Sequence, residues 1–201
     1  MKKDIPVFPV VVSLIAYFAY TASFTVFETI GTPYTQEDFN WSVTENSILY
    51  AVLGVLCIIS LVVLQIFVRF FNDRVLVVGT TVFMVAGFGV LFDIQNHLVS
   101  LPRFAIGVGL TAAGYSTSVA VLISIYSKVL EGLDQGMMMG WLSSAGSIAR
   151  IIGPVFASYS FAWGGGRLVF ASMMGLMFVV FVILVASYRA LKPRTGQEPI
   201  N

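Results

Sequence analysis

Residues 133–161 read LDQGMMMGWLSSAGSIARIIGPVFASYSF, and this stretch decides the fold. It is long enough to cross a bilayer, since about 20 predominantly apolar residues suffice for a membrane helix. Arg150 nonetheless lies near its middle. A full charge at that depth costs about 2.5–3.5 kcal/mol on insertion scales, so it is kept mainly where it faces a partner or a water-filled cavity. The stretch therefore predicts a membrane helix that lines a path for a solute.

The composition of the whole chain also indicates a protein that lies in a lipid bilayer. Of the 201 residues, 58% are hydrophobic and only 10% are charged, whereas soluble domains carry about 25% charged residues. A soluble core could not hide so much apolar surface, so the lipid bilayer is the first expected partner. A net charge of +1 without a basic run argues against nucleic-acid binding. No metal or cofactor is expected, because no ligand spacing for one occurs.

Apolar runs divide the chain into six predicted transmembrane helices with short connections. Backbone polar groups in lipid must be satisfied within each segment, which favours helices over strands. The predicted fold is an all-α membrane protein, with a six-helix domain over 1–191 and a flexible cytosolic tail over 192–201. The spacing of the loops suggests two groups of three helices, a 3+3 bundle. The predicted spans are 5–30, 47–71, 75–92, 101–128, 136–161 and 168–191.

Lysine and arginine predict the orientation, because they are enriched in cytoplasmic loops. Six spans place both termini on one side. That side would hold Lys2, Lys3, Arg69, Arg74, Lys128, Arg189, Lys192 and Arg194, and the other only Arg103 and Arg167. Both termini are therefore predicted to be cytosolic. Asn40-Trp41-Ser42 is a glycosylation sequon on the opposite side, close to the membrane.

Two charged side chains within the predicted spans are candidates for function. The planar guanidinium of Arg150 suits a carboxylate, phosphate or halide. It either binds an anionic solute or gates a path, or it forms a structural clamp between helices. Glu28 lies just before Gly31 and Pro33, which should loosen the first helix. Glu28 is either an interfacial carboxylate or a coupling carboxylate and partner of Arg150.

The helix that carries Arg150 should bend beside it. Pro154 lacks the N–H that would bond to the carbonyl of residue 150, so the Gly153-Pro154 step predicts a kink at the charge. Three hydroxyl side chains either line the path or allow close helix packing: Tyr115 and Ser118 in the fourth predicted span, and Ser147 in the fifth.

Two dipeptides lie in the predicted cytosolic turns. Asp73-Arg74 follows the second span, and Asp134-Gln135 precedes the fifth. Short polar side chains at such positions cap helices and hold loops. The four residues are therefore expected to fix the cytosolic ends of the helices, with a gating latch as the alternative.

Two segments carry a resemblance to a known family: TVFETIGTPYTQEDFNWS at 25–42 and YSKVLEGLDQGMMMGWLSSAGSIARIIGPVF at 126–156. Together they resemble the C-terminal half of a major facilitator superfamily transporter, helices seven to twelve of twelve, and in particular a lysosomal branch of that superfamily. The superfamily's G-x-x-x-D-R-x-G loop motif survives only as Asp73-Arg74.

The resemblance implies a solute site at the midplane between two six-helix halves. It also implies an endosomal or lysosomal membrane, an N-terminal six-helix half as partner, and conduction of anions such as chloride. The leading hypothesis is thus half of a secondary transporter that moves a small, anionic solute by alternating access. An anion channel through the same helices and a non-transporting membrane scaffold are the alternatives.

An intramembrane enzyme is the least favoured class. Ser143 and Ser144 could serve as membrane nucleophiles, but the only histidine, His97, precedes them and falls in a predicted loop. No HExxH motif occurs, and no second membrane carboxylate accompanies Glu28. The chain is therefore expected not to be an enzyme.

Overall fold

The computed structural model describes residues 6–92, 100–130 and 134–191. Lys2, Lys3, His97 and the tail at 192–201 lie outside these ranges. The described chain forms five helices, and each is long and apolar enough to cross a membrane. They are α1 (Val7–Phe39), α2 (Val43–Phe67), α3 (Asp73–Leu91), α4 (Leu101–Val129) and α5 (Gln135–Ala186).

Five helical elements replace the six that the sequence predicted, because the last two predicted spans are joined in α5. This element has 52 residues and consists of two helical segments that meet at a kink. Only Gly164 (φ −142°, ψ 15°) and Gly165 (φ 59°, ψ −162°) depart from helical geometry. Glycine adopts the positive φ without a steric penalty. We call residues 135–163 the proximal segment and 166–186 the distal segment.

The proximal segment runs beside α1 in the same direction. A Cβ placed at Gly146 would fall 2.7 Å from Cε1 of Tyr17, and one at Gly153 would fall 3.3 Å from Cβ of Thr25. The small residues let the two helices approach closely. Their contact fixes which face of the proximal segment is buried.

The distal segment runs back along α3. Met174 lies against Gly89 near one end of α3. At the other end, a guanidinium nitrogen of Arg74 donates to the carbonyl oxygen of Tyr188 (3.4 Å) and the group lies 5.0 Å from the Tyr188 ring centroid. The chain therefore reverses its direction at the Gly164-Gly165 step.

Helices α3 and α4 pack antiparallel at glycines. A Cβ at Gly87 would lie 2.8 Å from the backbone nitrogen of Thr111, and a Cβ at Gly114 would lie 2.9 Å from that of Met84. Distances this short leave no room for larger side chains. The close α3–α4 contact therefore depends on Gly87 of α3 and Gly114 of α4.

Helix α1 is the central element, and α2 is peripheral. In the most apolar 18-residue stretch of α1, 67% is buried inside the bundle, against 11% in that of α2. Contrary to the predicted end at residue 30, α1 continues through Pro33 to Phe39, where Asn40 adopts a left-handed conformation (φ 57°). At 33 residues it is about 50 Å long, so it extends beyond the hydrocarbon core. Glu45 and Ser42 form the capping box that starts α2.

The two ends of the bundle differ in chemistry. At one end, the ring of Tyr34 contacts the rings of Phe39, Phe104 and Phe170. Arg103 at this end donates to the carbonyl oxygens of Val90 and Phe92, both at 2.7 Å. The other end holds the start of α1, the end of α5 and the cations Arg69, Arg74, Lys128 and Arg189.

Candidate functional site

Arg150 lies halfway along the proximal segment, about 22 Å from Gln135 and about 21 Å from Gly164 at 1.5 Å per residue. Its side chain is exposed on the surface of the bundle. Its neighbour Ala149 is fully buried, and Gly153 one turn later is buried against α1. The packing of α1 on α5 therefore turns the guanidinium away from the dry interior.

Tyr115 on α4 is the side chain that meets Arg150. The guanidinium lies close enough to the phenolic oxygen to act on it electrostatically. The Tyr115 ring, half-buried, stacks on the ring of Phe24 from α1, with centroids 4.1 Å apart and planes 7° from parallel. Three helices thus converge on one positive charge at mid-depth.

Glu28 is exposed on α1 near this group and does not pair with Arg150. It acts electrostatically on both Tyr115 and Tyr50, but among the described residues no carboxylate oxygen comes within 4.0 Å of the Arg150 guanidinium. The contact of Thr25 with Gly153 places Glu28 roughly 9 Å along the bundle from Arg150. The negative and positive charges therefore lie on either side of Tyr115.

Gly31 holds Tyr50 against α1 rather than ending the helix. A Cβ at Gly31 would fall 2.4 Å from the Tyr50 hydroxyl oxygen, which donates to the carbonyl oxygen of Glu28 at 3.4 Å. α1 remains helical through Gly31 and Pro33. The peripheral helix α2 is thereby attached to α1 beside the Glu28 carboxylate.

The two predicted serines have different environments. Ser147 is exposed one turn before Arg150, on the same face of the helix, and its hydroxyl donates to the carbonyl oxygen of Ser143 at 3.0 Å. Ser118 is fully buried, and its oxygen has no hydrogen-bond partner within the described chain. Ser147 therefore belongs to the surface that carries Arg150, and Ser118 to the bundle interior.

Helix α5 keeps helical dihedral angles through Gly153 and Pro154. The departure from helical geometry follows about three turns later, at Gly164 and Gly165. Pro154 is half-buried. The predicted bend beside Arg150 remains a prediction.

The residues of the predicted turns join helix ends. Asp73, the first residue of α3, pairs with Lys128 at 2.5 Å and accepts a hydrogen bond from Ser124 at 3.1 Å. Together with the contact of Arg74 to Tyr188, this connects α3 to α4 and to the end of α5. Asp134 accepts a hydrogen bond from the backbone nitrogen of Met137 at 3.4 Å, and Gln135 begins α5.

Three aromatic residues of the site were not among the predicted ones: Tyr17, Phe24 and Tyr50. Tyr17 packs on Gly146 and acts electrostatically on Tyr115. Tyr17 and Phe24 lie seven residues apart, and Phe24 lies four residues before the predicted Glu28, so the three share one face of α1. That spacing could have identified the two aromatic residues from the sequence, but it does not show which helix the face contacts. Among the described residues, no group of three His, Cys, Asp or Glu could hold a metal ion.

Comparison with known proteins gives a consistent picture. The family model described as Major Facilitator Superfamily matches residues 13–200. The chain is 26% identical over 236 aligned residues to major facilitator superfamily domain-containing protein 8 of Xenopus laevis, covering 92% of this chain and 46% of that protein. It is 34% identical over 92 residues to major facilitator superfamily domain-containing protein 10 of Bos taurus, covering 44% and 19%.

A solved structure resembles most of the bundle. The crystal structure of the human organic anion transporter MFSD10 (TETRAN) matches with a TM-score of 0.73 at 22% identity, covering 87% of this chain and 40% of that one. At this identity the likeness shows the fold. The chain spans less than half the length of each of these three proteins.

Proposed function

We propose that this chain, which belongs to the Major Facilitator Superfamily, is half of a secondary transporter for a small anionic solute. The observation that carries the proposal is Arg150, which is exposed halfway along the proximal segment with Tyr115 beside it. A guanidinium in that position has donors left for a carboxylate, sulfonate or phosphate. No enzymatic reaction is part of the proposal.

The proposed half has six membrane spans. The proximal and distal segments of α5 are each long enough to cross a bilayer, and their opposite directions favour two crossings with Gly164-Gly165 as the turn. Helices α1–α3 and the remaining three spans would form the 3+3 arrangement. The cluster of cations at one end favours a cytosolic location for both termini.

A second six-helix half would complete the solute path. Ile151, Val155 and Tyr159 follow Arg150 on the exposed side of the proximal segment, and α2 is almost entirely unburied. These surfaces flank the charge. We propose that a partner half, from the same protein or a second subunit, covers them and encloses the solute at Arg150.

Alternating access would then expose Arg150 to one side of the membrane at a time. An anion entering from water would take the place of the Tyr115 hydroxyl beside the guanidinium. Glu28, about 9 Å along the path, carries a charge opposite to that of Arg150 and would serve as the coupling carboxylate. The contacts of Asp73 and Arg74 would hold the cytosolic ends of the helices through the motion.

We further propose an endosomal or lysosomal membrane, with Asn40 glycosylated on the lumenal side. The location rests on the resemblance carried by residues 126–156. A chloride channel is the second candidate function, because a guanidinium also binds halides. The organic anion transported by the human structural neighbour favours a carrier.

Transport by reconstituted protein tests the proposal. The chain is placed in liposomes, alone and with a co-expressed N-terminal half, and the uptake of benzenesulfonate and chloride is measured. We expect Arg150→Gln to reduce uptake at least 10-fold, while Arg69→Gln, an exposed arginine at the cytosolic end, leaves it unchanged. Equal uptake by both variants would remove Arg150 from the mechanism. Rates far above about 10⁶ ions per second would contradict alternating access, since the fastest such motions take microseconds.

A further inference from the structure

We infer that the solute is an organic anion with a planar apolar body, and that Phe24 is the residue that selects for it. The inference rests on the proposed function and specifies the solute of the same site. It starts from the surroundings of Arg150, which include three aromatic rings besides the hydroxyl of Ser147 and the carboxylate of Glu28.

Two aromatic rings flank the charge from neighbouring helices. The rings of Phe24 and Tyr115 lie 4.1 Å apart and nearly parallel, and both residues are half-buried. Because each ring covers one face of the other, the exposed area that remains includes outer faces and edges. The contacts of Gly146 with Tyr17 and of Gly153 with Thr25 place Phe24 opposite the turn of α5 that carries Arg150, and the guanidinium acts electrostatically on Tyr115.

A third ring closes the side toward the predicted cytosolic end. Tyr17 packs on Gly146, one turn before Arg150 on the proximal segment. It is half-buried and near enough to act electrostatically on Tyr115. The anion site is therefore a single cation bordered by rings from α1 and α4.

Such a site suits a solute that has a charged group attached to a flat apolar body. A bare halide is stabilised by several hydrogen-bond donors, whereas rings present weakly polar surface to it. An organic anion would place its acidic group on Arg150 and its body on the rings, as ligand sites combine apolar walls with a few orienting polar groups. Offset stacking on aromatic faces rewards a planar body over a puckered one.

Phe24 is the residue best suited to test this. It carries no polar atom, so it can contribute only through its ring. Tyr115 would serve both charge and stacking, and its substitution would mix the two effects. Phe24→Leu removes the ring at similar apolar character, and Phe24→Tyr retains the ring.

The experiment compares two sulfonates in the reconstituted system. Benzenesulfonate and cyclohexanesulfonate have the same charge and number of carbons, and neither crosses lipid as a neutral acid. We expect the wild type to favour benzenesulfonate by about 2- to 10-fold in KM, the range that an aromatic pair contributes. Phe24→Leu should abolish this preference, Phe24→Tyr should restore it, and Phe178→Leu, an exposed phenylalanine on the distal segment, should leave it intact.

The outcomes separate the inference from the proposed function. Arg150-dependent uptake with equal KM for the two sulfonates, or a preference that survives Phe24→Leu, overturns the planar-anion inference alone. Uptake that ignores Arg150 overturns the proposed function as well. A Phe24→Leu protein with less folded material is judged by the ratio of the two KM values, which protein amount does not change.

Discussion

Removing the Tyr115 hydroxyl should make the site bind anions more tightly. The hydroxyl lies beside the Arg150 guanidinium, which acts on it electrostatically, so an incoming anion must compete with it for the guanidinium's donors. Tyr115→Phe removes the competitor and keeps the ring that stacks on Phe24. The prediction concerns one oxygen atom and leaves the packing of α4 unchanged.

The size of the effect follows from the interaction that is lost. Hydrogen bonds to charged groups contribute about 1.5–3 kcal/mol when buried. Arg150 is exposed and Tyr115 half-buried, so water replaces part of this interaction, and we expect about 1 kcal/mol. That difference corresponds to roughly a fivefold lower KM for benzenesulfonate.

The assay is the concentration dependence of benzenesulfonate uptake in proteoliposomes. Tyr188→Phe is the matched control, because Tyr188 lies at the far end of the bundle and contacts Arg74 through its carbonyl oxygen and ring rather than its hydroxyl, and its KM should not change. A Tyr115→Phe protein with a KM several-fold higher than wild type would refute the reasoning. The hydroxyl would then contact the solute instead of competing with it.

Three further predictions concern the fold. Gly114→Ala places a Cβ 2.9 Å from the Met84 backbone nitrogen and should destabilise the bundle by about 1–3 kcal/mol. The measurement is Tm in detergent, which should fall. The control is Gly175→Ala, whose Cβ meets no atom within 4 Å and should leave Tm unchanged. Ser118→Ala removes a buried hydroxyl without a partner and should leave Tm unchanged or raise it; a clear drop would mean that the hydroxyl is bonded. Asp73→Asn weakens a pair whose lysine is 49% exposed, so the cost should stay below about 1 kcal/mol, and a larger fall in Tm would contradict this estimate.

The sequence was sufficient for the features that depend on local pattern. Apolar runs of membrane length predicted an all-α membrane protein, and the family resemblance is confirmed by the match over residues 13–200. Helix α4 begins at Leu101 as predicted and ends at Val129, one residue late, because an apolar run of a single helix is delimited by its own composition. Arg150 stood out because a charge in an apolar run is conspicuous without any knowledge of its neighbours.

Other features depended on contacts between distant parts of the chain. The run Gly164–Gly166 could form a longer loop or a short turn in which only two residues leave the helix. In the structure Gly164 and Gly165 form such a turn, and Gly166 packs against Tyr34 of α1. The continuation of α1 past Pro33 could not be predicted, because proline's local preference is overridden where the rest of the helix is packed. The stacking of Phe24 on Tyr115 joins residues from different helices, so no periodicity within α1 identifies the partner.

The central claim is that water and anions reach Arg150 in the middle of the membrane. Ser147, exposed one turn away on the same face, gives direct access to this question as Ser147→Cys in a Cys57→Ser background. The measurement is its rate of reaction with a negatively charged, membrane-impermeant methanethiosulfonate, which needs a thiolate and therefore water. We predict that the residue is labelled, that benzenesulfonate slows the labelling, and that Val179→Cys, exposed on the distal segment, stays unlabelled. No labelling of Ser147→Cys in the chain assembled with its partner half would contradict the account.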